Sequence, residues 1–322
     1  MREALFIKKN KDRWLKAQNE PTDDPDEMAA DFTQLVDDLA YAKTFYPSGK
    51  VTTYINSQAS RIYLDIYKNR KEESNRLLNF WKYELPLIVR KHHRVILFSF
   101  LFFLVFFSIG FFTAKKDEGI PASILGSGYV EMTQENINNG NPFGVYEQGN
   151  AFMSWIALMI HNMRVDFLVF VSGIFFGVPA LVIEARNGVM VGVFDQFFAA
   201  RGLGVDFWLV VFVHGTIEMT ALILSTAAGL VLGKSFLFPG THRRIDSFKQ
   251  GAKDGVKIMV GVVPLTALAA FFEGFITRLY NDISILTTLV FALSVLFVIW
   301  YFIIWPIRLG RKRSVQLNEL EV

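Results

Sequence analysis

The sequence predicts an all-α membrane protein, a polytopic bundle of about six transmembrane helices preceded by a cytoplasmic helical domain. Of the 322 residues, 52% are hydrophobic and only 20% are charged, so the chain is more apolar and less charged than an average soluble domain. The charges are also uneven, because residues 1–94 hold 17 Lys/Arg and 14 Asp/Glu, nearly half of the 33 plus 30 in the chain. Long apolar segments therefore dominate the remainder.

Composition and motifs also exclude several functional classes. The net charge of +3 and the lack of a basic stripe with interleaved aromatic residues argue against nucleic-acid binding. The sequence contains no cysteine, which excludes disulfides, cysteine-bound zinc and iron–sulfur clusters. Neither GxxxxGK[ST] nor GxGxxG occurs, so no nucleotide site and no cofactor are predicted. The N-terminal sequence lacks the features of a signal peptide, so we expect the first transmembrane helix to direct insertion.

Residues 1–94 are predicted to form a helical cytoplasmic domain. One apolar stripe with helical spacing runs from Met28 to Leu39, and a second runs from Val51 to Ile66. The turn Pro47-Ser48-Gly49 separates them. The pattern is typical of a solvated helical hairpin that packs on itself or on a partner. The alternative is a docking module for a cytoplasmic protein.

The transmembrane domain is predicted over residues 95–307. Its first span, Val95–Thr113, is 19 residues without a charge, which is enough to cross the hydrocarbon core. The basic cluster at residues 90–94 precedes it and predicts a cytoplasmic N-terminus. The polar, turn-rich stretch 114–152 is predicted to be an extracytoplasmic loop, with a short interfacial helix at Phe152–His161.

Five further apolar segments bring the predicted number of membrane spans to an even total. They are Val165–Ile183, Val189–Ala200, Val205–Leu232, Ile258–Ile276 and Ile283–Ile307. The loop Lys234–Lys257 carries six Lys/Arg against two Asp, and the tail 308–322 begins with a basic cluster, so both are predicted to be cytoplasmic. Six spans with both ends inside satisfy these constraints. Val189–Ala200 rises only about 18 Å, so it is either a short span or a re-entrant segment.

Several ionisable residues fall inside the apolar segments, where each requires an explanation. Asp166 and Glu184 lie near the ends of predicted segments, and we expect their carboxylates to reach the interface. Asp195 and Glu273 lie deeper and are predicted to face the interior of the bundle.

His214 and Glu218 are the most informative pair. Four residues apart, they share one helix face, and Gly215 permits close backbone approach or a local break. One interpretation is a polar clamp to Asn187, Asp195 or Glu273. The others are a proton or ion relay and a lipid or peptide site.

No catalytic residues and no metal site are predicted. A zinc protease would need HExxH, with two histidines and a glutamate on one helical turn, and here one histidine stands alone. Gly188 and Gly192 are four residues apart, as are Gly173 and Gly177. Such spacing in a membrane helix indicates helix packing rather than phosphate binding.

Three short motifs resemble those of the stage II sporulation protein M family. They are Asn187-Gly188 with Gly192, the HGTIE sequence at residues 214–218, and the AAGL sequence at residues 227–230. The order of the motifs is that of the family, and the similarity runs from about Val95 to Ile307. Val213 stands where the family usually has proline, which weakens the expectation of a helix break before His214.

The resemblance implies a multi-pass protein of the bacterial plasma membrane. The family's namesake anchors a complex with cell-wall hydrolases during engulfment in spore formers, although nothing in this sequence indicates sporulation. Relatives in other organisms are often encoded near RDD-family membrane proteins and MoxR-type ATPases, which makes such proteins the implied partners.

Three functional hypotheses follow. The first is a non-enzymatic scaffold or subunit of an envelope-associated membrane complex, with membrane lipids, other proteins or a second copy of the chain as partners. The second is a transporter or permease-like component, driven by a separate ATPase, in which Asp195, His214, Glu218 and Glu273 line a polar pathway. The third is an intramembrane hydrolase that uses His214 and Glu218.

Overall fold

The computed structural model describes residues 2–19, 22, 24–68, 75–280 and 284–311. Every regular element in these ranges is a helix, so the predicted all-α fold class is confirmed. The chain divides into two compact units, Met1–Leu77 and Leu78–Val322.

The described part of the first unit forms helices α1 (Glu3–Asn19), α2 (Pro25–Phe45) and α3 (Lys50–Lys68). Helix α2 begins with proline in its first turn, and the Asp24 carboxylate caps it by accepting a hydrogen bond from the Asp26 backbone N–H at 2.9 Å. The sequence patterns predicted α2 and α3 only. Helix α1 was not predicted because its sequence is strongly polar and its apolar residues are too sparse to form a stripe.

The core of the first unit draws on all three helices. Trp14 of α1 is 2% exposed, and its indole N–H donates to the Asp38 carboxylate of α2 at 2.7 Å. The buried residues are Phe6, Trp14, Leu35, Ala42, Val51, Ile55 and Ala59.

The second unit begins with short helical pieces that precede its first long helix. Helix α4 (Arg76–Asn79) crosses the boundary between the units and continues through a π-helical turn, Phe80–Glu84, into α5 (Leu85–Lys91). A hydrogen bond from the Tyr301 hydroxyl to the Trp81 carbonyl, 2.6 Å long, joins this turn to the last long helix.

Helix α6 (His93–Lys116) contains the predicted first span. Two short helices, α7 (Ile120–Leu125) and α8 (Ser127–Asn138), and a 3₁₀ turn, Gly144–Glu147, follow it. The predicted loop is therefore largely helical.

This segment also packs on the long helices. Phe143 is 1% exposed and stacks on Phe198, with 4.8 Å between ring centroids. The Tyr280 hydroxyl donates to the side-chain carbonyl of Asn141 at 2.5 Å.

The next two helices correct the predicted segmentation. The interfacial helix predicted at Phe152–His161 is instead the first part of one long helix, α9 (Ala151–Ser172). The predicted span Val165–Ile183 is interrupted by a turn at residues 173–177, where Phe176 and Gly177 have φ of 61° and 81°. Helix α10 (Val178–Ala199) then follows.

Helix α10 also explains the short segment Val189–Ala200, which the sequence predicted as either a short span or a re-entrant segment. That segment is the C-terminal half of an uninterrupted 22-residue helix. Such a helix is about 33 Å long, which matches the hydrocarbon thickness of about 30 Å.

The last three long helices are α11, α12 and α13. Helix α11 (Gly204–Leu237) has 34 residues, and α12 (Arg244–Phe271) continues as a π-helix, Phe272–Ile276. Helix α13 (Ser284–Ile299) also continues as a π-helix, Trp300–Ile304. Five helical stretches of the described chain are long and apolar enough to cross a membrane: His93–Lys116, Ala151–Ser172, Gly204–Leu237, Arg244–Leu279 and Ile285–Arg311. With α10, the described part of the second unit therefore contains six long helices.

Contacts between the long helices give their relative directions. Ser99 bonds to Glu184, and Phe107 lies against Gly192, so α6 and α10 are parallel. Helices α11 and α12 are antiparallel. His214 in the first half of α11 bonds to Thr277, shortly after α12, whereas Ser235 near the end of α11 bonds to Ser247 near the start of α12. Gly310, at the end of the helical stretch Ile285–Arg311, lies beside Arg90 of α5, so this stretch ends near the start of α6.

Candidate functional site

Three ionisable side chains meet between α11 and the end of α12. His214 and Glu218 come from α11, and Glu273 comes from the π-helix that follows α12. One potential metal-ligand atom from each lies within 4.8 Å of the others. We refer to these three residues as the His–Glu cluster.

The local sequence explains how the cluster forms. His214 and Glu218 are one turn apart and therefore point the same way from α11. Glu273 is the second residue of the π-helix Phe272–Ile276, a distortion that widens one helical turn and is frequent at functional sites.

The His214 ring is held by two neighbours. It is 4% exposed, and its Nδ1 lies 3.0 Å from the hydroxyl oxygen of the buried Thr277. The Tyr146 ring packs against it edge-on at 5.6 Å. In the described part of the chain no hydrogen-bond partner is found for the other ring nitrogen, Nε2.

The two glutamates have no cationic partner among the described residues. No hydrogen bond or ion pair to either carboxylate is found there. If both were ionised, carboxylates at this separation would repel by about 3 to 4 kcal/mol at an effective dielectric constant of about 20. A proton or a cation within the cluster would relieve that repulsion.

Two tyrosines from the segment between α6 and α9 interact electrostatically with the glutamates of the cluster. Burial, with a smaller contribution from the charge of Glu273, raises the pKa of Tyr129 to about 12. Burial raises the pKa of Tyr146 well above its usual value, with Tyr129, Glu273 and Glu218 adding to the effect. Both phenols therefore keep their protons near neutral pH and can act as hydrogen-bond donors.

The expectation that Asp166 reaches the interface is wrong. Asp166 is 5% exposed and accepts two hydrogen bonds, from the Thr266 hydroxyl at 2.6 Å and the Ser225 hydroxyl at 3.2 Å. These donors belong to α12 and α11, so the carboxylate of α9 joins three helices. Because the predicted segment began at Val165, the sequence placed Asp166 at an end that the structure places well inside α9.

The same expectation is wrong for Glu184. Its side chain is fully buried, and the Ser99 hydroxyl of α6 donates to its Oε1 at 2.5 Å. Among the described residues its Oε2 has no hydrogen-bond partner. The carboxylate therefore faces α6 inside the bundle.

The other residues of the predicted clamp do not join the His–Glu cluster. Asp195 is 4% exposed and interacts with the side chain of Trp208. The side-chain amide of Asn187 donates to the Ile183 carbonyl of its own helix at 2.9 Å. Of the three partners proposed for the clamp, the structure brings only Glu273 to His214 and Glu218.

The two glycines singled out in the sequence differ in role. A Cβ on Gly188 would lie 3.1 Å from the Phe103 carbonyl oxygen of α6, so this glycine permits close helix packing. A Cβ on Gly215 would meet only the Phe212 ring, at 3.8 Å, and α11 is unbroken there. The expected close approach or break at Gly215 is therefore not found.

A second feature of this unit is an apolar groove of about 640 Å³ between α6, α11 and α13. Phe100, Phe103, Phe212 and Phe291 are among its lining residues. Arg90, near the end of α5, and His93, at the start of α6, also line it. The groove therefore combines an apolar wall with basic groups from one end of the bundle.

Sequence reasoning missed the hydroxyl groups that hold the buried ionisable residues. They are Ser99, Ser225, Thr266 and Thr277. Serine and threonine are frequent in membrane helices and usually bond within their own helix. No local pattern separates those that reach across to a neighbour.

Comparisons with known proteins give two family matches. Residues 99–278 match the family described as stage II sporulation protein M, which is 180 of the 322 residues. Residues 4–68 match a domain of unknown function (DUF8413). No curated protein and no solved structure matches.

Proposed function

Because the chain belongs to the stage II sporulation protein M family, we propose that it is a non-enzymatic membrane scaffold, a subunit around which an envelope-associated complex assembles. The observation that carries this proposal is the Asp166 carboxylate, which binds hydroxyls from two other helices. Hydrogen bonds between helices are retained in lipid because the freed groups would have no water to bind. They favour one fixed arrangement of α9, α11 and α12.

Close glycine contacts support the same proposal. A Cβ on Gly192 would overlap the Phe107 carbonyl of α6, and one on Gly173 would overlap Gly229 of α11. These helices therefore pack backbone to backbone, and sliding or opening them would break continuous contact. A fixed bundle suits a scaffold better than an alternating-access transporter.

The distribution of polar groups also favours the scaffold. A transport pathway would need the candidate ionisable groups to follow one another across the bundle. Three of them meet in the His–Glu cluster, whereas Asp195 interacts with Trp208. Asp166 and Glu184 bind hydroxyls within helix contacts.

We propose the bacterial plasma membrane as the location, with both ends of the chain in the cytoplasm. The basic residues at 90–94, in the loop after α11 and in the tail support this orientation under the positive-inside rule. The segment between α6 and α9 would then face outward.

The first unit is the proposed docking module for a cytoplasmic partner. It has its own core and its own family match, and Phe45 and Leu64 expose 58% and 63% of their surface. The partners that the family resemblance implies are a MoxR-type ATPase and an RDD-family membrane protein.

Purification in mild detergent tests the scaffold proposal. The full chain and a variant without residues 1–77 are expressed with the same affinity tag, and copurifying proteins are quantified by mass spectrometry. We expect defined polypeptides at stoichiometric amounts with the full chain, and loss of the cytoplasmic ones in the truncated variant. Substrate-dependent transport by the isolated chain in liposomes, without stoichiometric partners, would contradict the proposal.

The apolar groove supports a second candidate role, the binding of one phospholipid. Its aromatic lining would hold an acyl chain, while Arg90 and His93 would attract the phosphate. Native mass spectrometry of the wild type and of Arg90→Gln would test this. We expect the wild type to retain a phospholipid and Arg90→Gln to lose it. Lys43→Gln, which removes one positive charge from the first unit, is the matched control and should retain the lipid. Equal lipid retention by all three would count against the site.

A further inference from the structure

We propose that His214, Glu218 and Glu273 form a binding site for a divalent first-row transition-metal ion, such as Zn²⁺ or Mn²⁺. The proposal goes beyond the scaffold function and does not depend on it.

The geometry of the His–Glu cluster fits such an ion. Metal–ligand bonds to histidine nitrogen and carboxylate oxygen are about 2.0 to 2.2 Å long, so the ligand atoms around one ion lie about 3 to 4 Å apart. The three ligand atoms already lie within 4.8 Å of one another. Small side-chain rotations would close the remaining distance.

Electrostatics favour a cation at this position. Two carboxylates approach each other in a largely buried place, and no lysine or arginine among the described residues pairs with them. The arginine nearest in sequence, Arg278, donates to the Glu147 and Gly149 carbonyls instead. Buried charges are normally paired or coordinate metals.

The orientation of His214 is an independent observation that points to a ligand. The side chain is nine-tenths or more buried, yet its Nε2 has no partner in the described part of the chain. Its Nδ1 is bound to the Thr277 hydroxyl. Metal-binding histidines typically bond to a second residue through the nitrogen that does not bind the metal, and that bond fixes the ring.

The donor set indicates which ions are suitable. One imidazole and two carboxylates suit zinc, manganese or iron better than magnesium or calcium, which prefer oxygen alone. Three protein ligands leave at least one coordination position open. The phenols of Tyr129 and Tyr146 keep their protons near neutral pH, and the Tyr146 ring packs against His214.

Metal binding by the purified full-length chain tests the site. The protein, in detergent, is stripped with a chelator, re-equilibrated with Zn²⁺ or Mn²⁺, and analysed by elemental mass spectrometry; Co²⁺ absorption reports the coordination. We expect about one ion per chain for the wild type. Glu218→Gln and Glu273→Gln should each lose stoichiometric binding, whereas Glu184→Gln, which changes a buried glutamate outside the cluster, should retain it.

A further variant separates ligand loss from misfolding. Thr277→Val keeps the shape of the side chain, removes the hydroxyl that orients His214, and should weaken metal affinity by about 10- to 100-fold. Size-exclusion profiles identify variants that do not fold. Absence of stoichiometric metal in the wild type, or equal binding by the cluster variants and Glu184→Gln, would overturn the proposal in favour of a proton shared by the two glutamates.

Discussion

At the scale of single residues, hydroxyl groups determine how this bundle accommodates carboxylates. Asp166 accepts hydrogen bonds from Ser225 and Thr266, and Glu184 accepts one from Ser99. A buried carboxylate without donors would be costly. The donors therefore make the buried position tolerable and connect the helix that carries the acid to its neighbours.

Removing one of these donors should destabilise the fold. Thr266→Val keeps the side-chain volume but leaves Asp166 with Ser225 alone, so we expect a loss of about 1 to 2 kcal/mol. Thermal unfolding in detergent measures it as a lower midpoint.

The matched control for that measurement is Thr220→Val. The Thr220 hydroxyl donates to the Thr216 carbonyl of its own helix at 2.7 Å, and among the described residues it forms no hydrogen bond to another helix. We expect little change in the unfolding midpoint. An equal midpoint for the two variants would show that the Asp166 contact contributes nothing to stability.

At the scale of elements, glycine determines which helices come close. Gly192 of α10 faces the Phe107 and Phe111 backbones of α6, and Gly110 of α6 faces Val189 of α10. Where both backbones approach this closely, dispersion contacts are dense and no side chain fits between them. The pairing of α6 with α10 therefore depends on the absence of a Cβ at these positions.

Gly192→Ala should separate α6 from α10. The added methyl group would overlap the Phe107 carbonyl, and overpacking of this kind costs about 1 to 3 kcal/mol. We expect a lower unfolding midpoint and a lower yield of monodisperse protein.

Gly128→Ala provides the control, because it adds the same methyl group to a helical glycine with no other atom within 4 Å. Alanine is the better helix former by about 1 kcal/mol, so this variant should be neutral or slightly stabilised. A stable Gly192→Ala variant with an unchanged yield would be incompatible with the backbone contact described above.

At the scale of the whole molecule, the chain combines a small polar helical unit with a membrane unit. The first unit has a core of its own, to which all three helices contribute. Its buried aromatic residues Phe6 and Trp14 contact each other edge to face, with 5.5 Å between the ring centroids. Such a unit meets the main requirement for independent folding, a contiguous core.

A fragment of residues 1–77 should therefore fold alone. We expect a helical circular-dichroism spectrum and a cooperative thermal transition. Trp14→Ala should abolish that transition, because truncation of a buried aromatic residue costs about 3 to 5 kcal/mol and a core of this size supplies little more. The exposed change Glu27→Ala should leave it intact. A fragment without a transition would mean that this unit requires the rest of the chain.

The absence of cysteine makes the proposed orientation directly testable. Asn139→Cys and Thr241→Cys place single thiols at exposed positions, after α8 and between α11 and α12 respectively. In intact cells an impermeant maleimide should label Asn139→Cys only, and permeabilisation should allow labelling of Thr241→Cys. The reverse pattern would contradict the proposed N-in, C-in orientation.

Local sequence was sufficient to predict the membrane class and the first span, but less reliable for segment boundaries. Hydropathy is summed over neighbours in the chain, so a long apolar run such as Val95–Thr113 is recognised without tertiary information. The turn at residues 173–177 was missed because its residues are themselves apolar. The sequence predicted only the second half of α10, because Glu184 and Arg186 lower the average hydropathy of its first half.

The sequence by itself therefore determined that this is a helical membrane protein and that His214 and Glu218 share one helix face. Only the tertiary structure decided that Asp166 and Glu184 are buried, and that Glu273, rather than Asn187 or Asp195, completes the His–Glu cluster. The physical reason is that helical periodicity is a local property of the chain. The partners of a buried polar group, in contrast, come from helices that are far away in sequence, and packing alone brings them together.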